Sequence, residues 1–279
     1  MKNGNAAQQA IRNARVLGRL GSLEIRLVRS TAEIRAAQAL RYQVFNPETA
    51  VKAARTGRGL HRDADAWDQV SNHLVVLDHG GRAPCMVATC RFFDSHASMR
   101  SGIGFYTSQE FDIAPLMARH GGLKFMELGR SCVLPEWRNK RTMELLWHGI
   151  WSHVLAQQVD VLTGCASFSG TDPLSIAEPL SFLHHHAALQ PEWEVRANAA
   201  ETLETNLLPA ASVDPKRAMR ALPPLVKGYL RLGAGFGRQA VIDRKFGSID
   251  VLVVLPVKAI SPRYVSHYGA DAGRYAVDN

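Results

Sequence analysis

Several hallmarks of membrane, secreted and metal-binding proteins are absent from this sequence. Its 279 residues contain no window of about 20 consecutive apolar residues, so we predict no membrane-spanning helix. Residues 1–21 lack the continuous apolar core of a signal peptide. The four cysteines show no Cys-x-x-Cys spacing, and three of them lie in apolar runs. This pattern favours buried free thiols in a reducing compartment, so we expect a cytoplasmic protein without a metal site.

Acidic residues are in the minority. The chain has 33 Lys and Arg against 25 Asp and Glu, a net charge of +8. Such an excess favours an anionic partner, which can be a nucleic acid, an acidic lipid or an acidic protein. Zinc-finger spacing and the interleaved aromatic and basic residues of nucleic-acid platforms are both missing. We therefore expect no nucleic-acid partner.

Helical and strand patterns alternate along the chain, and no repeat or long linker interrupts them. Alternation over residues 23–30 (LEIRLVRS) predicts an edge strand, and Thr31 is expected to cap a helix over residues 31–45. The order of elements predicts an α/β or α+β fold around one mixed sheet flanked by helices. Further predicted elements are a hairpin around residues 79–84, strands at 124–134, 159–168 and 248–256, and helices at 112–121, 144–158 and 174–189, with two short helices before the last strand.

The N-terminal residues 1–22 form a basic segment ahead of a single predicted domain over residues 23–279. Within residues 10–20, Ile11, Val16, Leu17 and Leu20 fall near one face among arginines. A basic amphipathic segment of this kind can rest on anionic lipid, which would place the protein peripherally at the inner face of the membrane. The alternative is a frayed tail.

A long polar stretch without periodicity, residues 47–71, follows the first predicted helix. Loops of this length are commonly lids or binding loops. Asp63, Asp65 and Asp68 crowd together near its end. They predict either a solvated acidic loop or a cage for a cationic group such as an amine.

The apolar strand at 124–134 contains two charged residues, Glu127 and Arg130. On a regular strand they point to opposite faces, because side chains alternate. Gly129 lies between them, and a glycine inside a strand often marks a bulge. We therefore predict a bulge around Gly129 that brings both charges to one side. The alternative is a buried ion pair that only fixes the packing.

A basic turn follows this strand. Pro135 ends strand pairing, and the next helix begins near Arg138, Lys140 and Arg141. Backbone N–H groups at a helix N-terminus, together with nearby cations, favour phosphate binding. The turn lacks a strict glycine fingerprint, so a solvated basic turn is the alternative.

The succession of strand, basic turn and amphipathic helix resembles the cofactor motif of the GCN5-related N-acyltransferase (GNAT) fold. The resemblance implies that the bulged strand splays from its neighbour, with pantetheine in the gap and phosphate on the turn. The residues that it assigns to acyl-phosphopantetheine are Val133, Leu134, Arg138, Asn139, Lys140, Arg141, Thr142, Cys165 and Ser167.

A narrower resemblance rests on four charged elements in chain order. Acyl-homoserine-lactone synthases carry elements like Arg41 with Phe45, Asp65 with Asp68, Arg91, and Glu127 with Arg130. The remainder is more similar to the L-ornithine N-acyltransferases of ornithine-lipid synthesis. The segments that carry this similarity are HLVV (73–76), LLWHGI (145–150), GCASFSGTDP (164–173) and residues 224–255, within a span from about Leu23 to Gly269. We take the second family as the better match, chiefly on residues 224–255.

This resemblance implies an enzyme that moves a 3-hydroxyacyl chain from the phosphopantetheine thioester of acyl carrier protein to the α-amine of L-ornithine. The product is lyso-ornithine lipid. The acylated carrier protein is then the donor, and no tightly bound cofactor is expected. Acyl carrier protein is acidic, so the basic surplus of this chain suits it as a partner.

The same resemblance supplies roles for individual residues. Glu127 is the candidate base that takes the amine proton, and Asp68 is the second choice. Arg41, Arg91 and Arg130 are candidates for the ornithine carboxylate, and Asp65 and Asp68 for its distal ammonium. Phe45 is assigned to substrate binding. A covalent intermediate on Cys165 or Ser167 is disfavoured, because no Gly-x-Ser-x-Gly elbow is present.

Two other functions remain open. An acyl-homoserine-lactone synthase would use S-adenosylmethionine as the acceptor. A non-enzymatic lipid- or protein-binding module with the same fold would release no thiol from the donor.

Overall fold

The computed structural model describes residues 16–46, 61–262, 264, 265 and 275. The chain forms two compact units. The first unit comprises residues 1–103, 128–158 and 262–279, and the second comprises residues 104–127 and 159–261. The single domain over residues 23–279 stays a prediction. No helix in the described part of the chain is long and apolar enough to cross a membrane.

The helices and strands are numbered in chain order. The helices are α1 (Thr31–Phe45), α2 (Ser95–Ser101), α3 (Ala114–Arg119), α4 (Lys140–Ala156), α5 (Ala177–His186), α6 (Pro215–Ala221) and α7 (Pro224–Leu232). The strands are β1 (Val16–Leu20), β2 (Leu23–Leu27), β3 (Asn72–Asp78), β4 (Cys85–Asp94), β5 (Phe125–Val133), β6 (Val161–Ser169), β7 (Thr202–Glu204), β8 (Gly235–Asp243) and β9 (Ser248–Pro256).

The first unit contains β1 to β4 as an antiparallel meander, followed in sheet order by β5. The prediction that β2 is an edge strand was wrong, because β1 pairs with its outer side. Its charged residues are buried rather than solvated: Glu24 binds Arg19 at 2.8 Å, and Arg26 binds Glu33 at 2.7 Å. The alternation therefore reflects ion pairing inside the fold.

Residues at both ends of α1 differ from expectation in detail. The helix over residues 31–45 is confirmed, but its cap is Ser30, whose side chain accepts the N–H of Glu33 at 3.2 Å. Residues 47–60 of the predicted loop lie outside the described residues, and residues 66–69 form a 3-10 helix. In the predicted basic segment, β1 takes up Val16–Leu20, and residues 1–15 lie outside the description.

The second unit is a mixed sheet in the order β5-β6-β9-β8-β7, with β5 and β6 parallel and the other neighbours antiparallel. Strand β9 lies between β6 and β8 and is buried along nearly its whole length. The strands β7 and β8 were not predicted. In β8, the glycines at 235 and 237 conceal the apolar pattern of a strand. Gly235 packs closely, since an added Cβ would lie 2.7 Å from the side chain of Leu189.

Strand β5 is irregular in the region where the bulge was predicted, but the irregular residue is Arg130 rather than Gly129. Its parallel ladder with β6 joins Phe125–Glu127 to Val161–Thr163. The residue with left-handed backbone is Arg130, with φ of 53°, whereas Gly129 has no positive φ. A non-glycine residue in this region costs roughly 1–3 kcal/mol, so other contacts must hold Arg130 there.

Candidate active site

Six charged side chains of the first unit form one cluster, which we call the Arg–Asp cluster. Helix α1, strand β4 and strand β5 each supply one arginine, and the segment that ends in the 3-10 helix at 66–69 supplies three carboxylates. The members are Arg41, Arg91, Arg130, Asp63, Asp65 and Asp68. The structure thus brings together residues that the sequence predicted as separate substrate contacts.

Arg41 is the centre of the cluster and is fully buried. Its Nη1 and Nη2 donate to the two carboxylate oxygens of Asp68 at 2.8 and 2.9 Å, and its Nε donates to Asp63 at 2.9 Å. A further short contact joins Nη2 to the backbone oxygen of Asp63. Paired, two-point contacts of this kind are the strongest that an arginine makes with carboxylates.

The other two arginines bind the more exposed carboxylates, and one of them also binds Asp68. Arg91 Nη1 lies 2.5 Å from Asp65 and 3.0 Å from Asp68. Arg130 lies 3.1 Å from Asp63 and 3.6 Å from Asp65. These ion pairs explain how Arg130 is held in its left-handed conformation.

Asp68 also stabilises the 3-10 helix in which it lies. Its carboxylate accepts the N–H of Asp65 at 3.1 Å, while Asp65 accepts the N–H of Asp68 at 3.2 Å, which is a reciprocal capping box. Gln38 of α1 donates to Asp68 at 2.8 Å. The carboxylate is therefore engaged by α1, by β4 and by its own backbone.

The charge state of Asp68 follows from these contacts. Burial alone would raise the pKa of Asp68, but the hydrogen bonds and charge of Arg41, with the charge of Arg91, outweigh it. The pKa is held well below its usual range. Such a carboxylate is a weak base near neutral pH, which weighs against Asp68 as the group that accepts a proton.

The members of the cluster differ in their exposure within the described part of the chain. The side chains of Arg41, Arg91 and Asp68 are 1–4% exposed, whereas Asp63, Asp65 and Arg130 are 12–17% exposed. Phe45, at the last turn of α1, is half-buried. Since the buried members already neutralise one another, a substrate contact is more readily made by Arg130 than by Arg41. The substrate roles of Phe45, Asp65, Arg91 and Arg130 stay predictions.

Glu127 belongs to the second unit and is 4% exposed. Its Oε2 accepts the N–H of Tyr106 at 2.8 Å, and its Oε1 accepts the N–H of Thr107 at 2.6 Å. The Thr107 hydroxyl makes a further short contact with Oε1. A 3-10 helix at Tyr106–Gln109 thus fixes the carboxylate, and its backbone is fixed in return.

Cys165 lies beside the same helix, with its thiol 3.9 Å from the Thr107 hydroxyl. Burial, followed by the negative charges of Glu110, Asp250 and Glu127, raises the pKa of the Cys165 thiol well above its usual value. A thiol in this state holds its proton at neutral pH and is a poor nucleophile. Ser167, two residues further along β6, is exposed.

The predicted pantetheine residues at the end of β5 are part of the first unit. Val133 is buried, and the N–H of Leu134 donates to Val87 of β4 at 2.9 Å. Arg138 folds back so that its Nε donates to the Val133 carbonyl at 3.1 Å. The strand end and the turn are thereby joined.

The basic turn at the start of α4 presents its charges to solvent. Asn139 caps the helix by accepting the N–H of Thr142 at 3.1 Å, and Thr142 is buried. Arg138, Lys140 and Arg141 are exposed. The structure agrees with an exposed cationic surface at this place, and its binding of phosphate stays a prediction.

Tyr106, Thr107 and Glu110 were missed by sequence reasoning, because residues 104–113 have no periodic pattern. Asp250 was also missed, although a signal exists: it is the one charge in the apolar strand SIDVLVVLP. That charge is buried.

Comparisons with known proteins bear on the family. A family model described as an acetyltransferase (GNAT) domain matches residues 40–148, which confirms the predicted fold. The chain is 49% identical over 264 residues to L-ornithine N(alpha)-acyltransferase of Rhizobium meliloti (strain 1021), covering 94% of this chain and 89% of that protein. It is 48% identical over 265 residues to L-ornithine N(alpha)-acyltransferase of Agrobacterium fabrum (strain C58), covering 94% and 90%.

Among solved structures, an N-acyl amino acid synthase from uncultured soil microbes aligns over 85% of this chain and 91% of its own. Its TM-score is 0.44 and its identity 11%, so this likeness carries no inference about chemistry. The sequence relatives are decisive by themselves, since they match this chain almost from end to end. The chain belongs to the family of the L-ornithine N(alpha)-acyltransferases.

Proposed function

We propose that this protein transfers a 3-hydroxyacyl chain from the phosphopantetheine thioester of acyl carrier protein to the α-amine of L-ornithine, giving lyso-ornithine lipid. The observation that carries the proposal is the 49% identity, over 94% of the chain, to a protein named L-ornithine N(alpha)-acyltransferase. The excess of basic residues suits an acidic carrier protein. Because the product is a lipid, we place the reaction in the cytoplasm, at a peripheral contact with the anionic inner membrane face.

The reaction needs a proton acceptor and a leaving thiol. The neutral amine attacks the thioester carbonyl, the C–N bond forms, and the C–S bond breaks as the pantetheine thiol leaves with a proton. Ornithine arrives as an ammonium, so a base must first remove a proton. Glu127 is our candidate base, directly or through one water, since the N–H groups of Tyr106 and Thr107 hold its carboxylate in a defined orientation.

The substrate carboxylate needs a cation that it can reach. Arg41 is fully buried and bound by two aspartates, which makes it a structural anchor. Arg130 is more exposed than Arg41 and Arg91, and its ion pair with Asp65 is the longest in the Arg–Asp cluster, at 3.6 Å. We therefore propose Arg130 as the residue that binds the carboxylate, with Arg91 and Asp65 orienting it.

The basic turn is proposed to bind the phosphate of the carrier arm or acidic residues of the carrier protein. Replacing Arg138, Lys140 and Arg141 together by Gln should raise the KM for acyl carrier protein roughly 10-fold at low salt. The KM for ornithine should stay unchanged. The loss should shrink at high salt, because exposed charges are then screened in both proteins. Steady-state kinetics at two ionic strengths measures both effects.

The matched control for this variant changes three exposed basic residues of the second unit. Replacing Lys216, Arg220 and Arg231 by Gln removes the same charge from α6 and α7. This control should leave the KM for the carrier protein unchanged. Equal effects of the two triple variants would show that only net charge matters, and that the turn is merely solvated.

A thiol-release assay tests the proposed function against its rivals. One acyl-carrier-protein donor is offered with ornithine, lysine, glutamine or S-adenosylmethionine, and free thiol is followed with time. We expect release that depends on ornithine. Release only with S-adenosylmethionine would instead identify an acyl-homoserine-lactone synthase, and no release with any acceptor would indicate a binding module.

A further inference from the structure

One face of the sheet in the second unit carries several polar side chains. Directly paired residues share a face, so Ser167 and Asp250 lie on the same side, as do Asp243 and Ser248. Alternation along β9 puts Ser248 and Asp250 together on that side. On the opposite face, residues such as Ile249 and Val251 are fully buried.

Three carboxylates converge over this polar face. One oxygen each from Glu110, Asp243 and Asp250 lies within 4.8 Å of the other two. Glu110 is 8% exposed and Asp250 is 6% exposed, whereas Asp243 is half-buried. Negative charges this close repel one another, so a cation placed between them is strongly favoured.

A buried hydroxyl lies on the same face of the sheet as these carboxylates. Ser248 is 7% exposed, and its Oγ has no hydrogen-bond partner among the described residues. Its side chain is on the face that carries Asp243, directly across from it, and Asp250, two residues along. A buried hydroxyl without a partner is unfavourable, so a ligand that supplies one is expected here.

A cavity opens beside these groups. It has a volume of about 350 Å³, and Glu110 and Asp243 contribute to its lining together with Tyr106 and Gln109. This volume is near the lower limit of ordinary ligand pockets, roughly 300–1,000 Å³, and suits a small amino acid. Arg244 at the same cavity is already bound by Glu201, at 2.5 and 2.6 Å.

One residue that lines the cavity also contacts the candidate base. Tyr106, which lines it, donates its N–H to Glu127. Thr107, the next residue, contacts both Glu127 and the Cys165 thiol. An acceptor with one amine near Glu127 therefore has an acidic pocket within the same unit for a second amine.

We propose that Glu110, Asp243 and Asp250, with the hydroxyl of Ser248, bind the distal ammonium of a diamino acid acceptor and thereby select it. The inference rests on the proposed function and deepens it. It replaces the sequence-based assignment of this ammonium to Asp65 and Asp68, whose charges are engaged by arginines.

The test compares ornithine with norvaline, which has the same carbon chain but lacks the distal amine. The wild-type enzyme should prefer ornithine in kcat/KM by at least about 30-fold, the effect of one desolvated charge contact. Asp243→Asn should lower kcat/KM for ornithine about 10-fold or more and leave norvaline within about twofold. The asparagine oxygen still accepts the N–H groups of Lys245 and Phe246, so the turn is preserved.

Glu110→Gln provides a second variant with the same expected loss of preference. Asp172→Asn is the matched control, because Asp172 also accepts a backbone N–H, from Leu174, but lies exposed elsewhere in the unit. It should retain both rates. A calorimetric titration with Mg²⁺ alone should show no binding, and saturable binding that Asp243→Asn abolishes would identify a metal site and overturn the inference.

The experiments distinguish a failure of the distal-ammonium site from a failure of the proposed function. If both cluster variants keep the wild-type ratio of ornithine to norvaline, the inference is overturned while ornithine acylation stands. If the wild-type enzyme does not acylate ornithine, the proposed function is overturned and the inference with it.

Discussion

Glu127→Gln should lower the rate of acyl transfer by ~10²–10⁴-fold at neutral pH, the usual contribution of a positioned base. The amide cannot take the proton of the incoming ammonium. Raising the pH should recover part of the rate, because a larger fraction of the amine is then already neutral. A pH profile of kcat for the two enzymes measures this directly.

The hydrogen bonds of Glu127 make the pH dependence essential to the interpretation. A glutamine can keep its oxygen toward Thr107, but its NH₂ group would then face the N–H of Tyr106, which is also a donor. A rate loss caused by displacement of this segment is not repaired by alkaline pH. Rescue by pH thus separates a missing base from a displaced backbone.

Two further variants serve as comparisons for Glu127→Gln. Arg130→Ala should also slow the reaction, but without rescue at high pH, since Arg130 is proposed to bind the carboxylate. Glu192→Gln changes an exposed carboxylate and should leave the rate unaffected. Near-normal turnover by a folded Glu127→Gln enzyme would assign the proton transfer to another group and leave Glu127 as a packing residue.

The second large effect concerns stability. Asp68→Ala should lower the free energy of unfolding by about 3–5 kcal/mol, because Arg41 is left buried without its main partner. The double variant Arg41→Met with Asp68→Leu removes both charges and should cost less than Asp68→Ala. Urea unfolding of the three proteins measures these differences. A loss from Asp68→Ala no larger than that from exposed Glu201→Ala would contradict the account.

The pH dependence of stability has a definite sign. The folded protein holds the pKa of Asp68 well below the ordinary value near 4, so the carboxylate contributes stability above about pH 4. This contribution is lost progressively as the pH falls below that value. Asp68→Asn should flatten this part of the acid-unfolding curve, and an unchanged curve would contradict the lowered pKa.

Periodic elements were predictable from the sequence, and so was the place of the irregular strand. Helix α1, the β3–β4 hairpin and strand β9 have strong apolar patterns, which fix the register against the core. Strand β8 escaped prediction because glycines interrupt its pattern, and it is held by pairing with β9. The bulge was predicted around Gly129, and the left-handed residue of this strand is its neighbour Arg130, which ion pairs hold in that conformation.

The candidate site, too, was only partly predictable from the sequence. The sequence singled out the arginines and aspartates of the Arg–Asp cluster for separate roles in substrate binding, but it did not show that they pair with one another. Spacing along a chain does not tell which aspartate pairs with which arginine, since the pairs join residues 22–67 positions apart. Glu110 and Asp250 are 140 positions apart in the chain, and only the fold brings their carboxylates within 4.8 Å of each other.

The central claim is that this protein acylates the α-nitrogen of ornithine, and the structure of the product tests it most directly. The enzyme would be incubated with a 3-hydroxyacyl carrier-protein donor and ornithine labelled with ¹⁵N at one amine, and the product analysed by tandem mass spectrometry and NMR. We predict a single amide at the α-nitrogen and a free distal amine. An amide at the distal nitrogen, or no acyl-ornithine at all, would contradict the account.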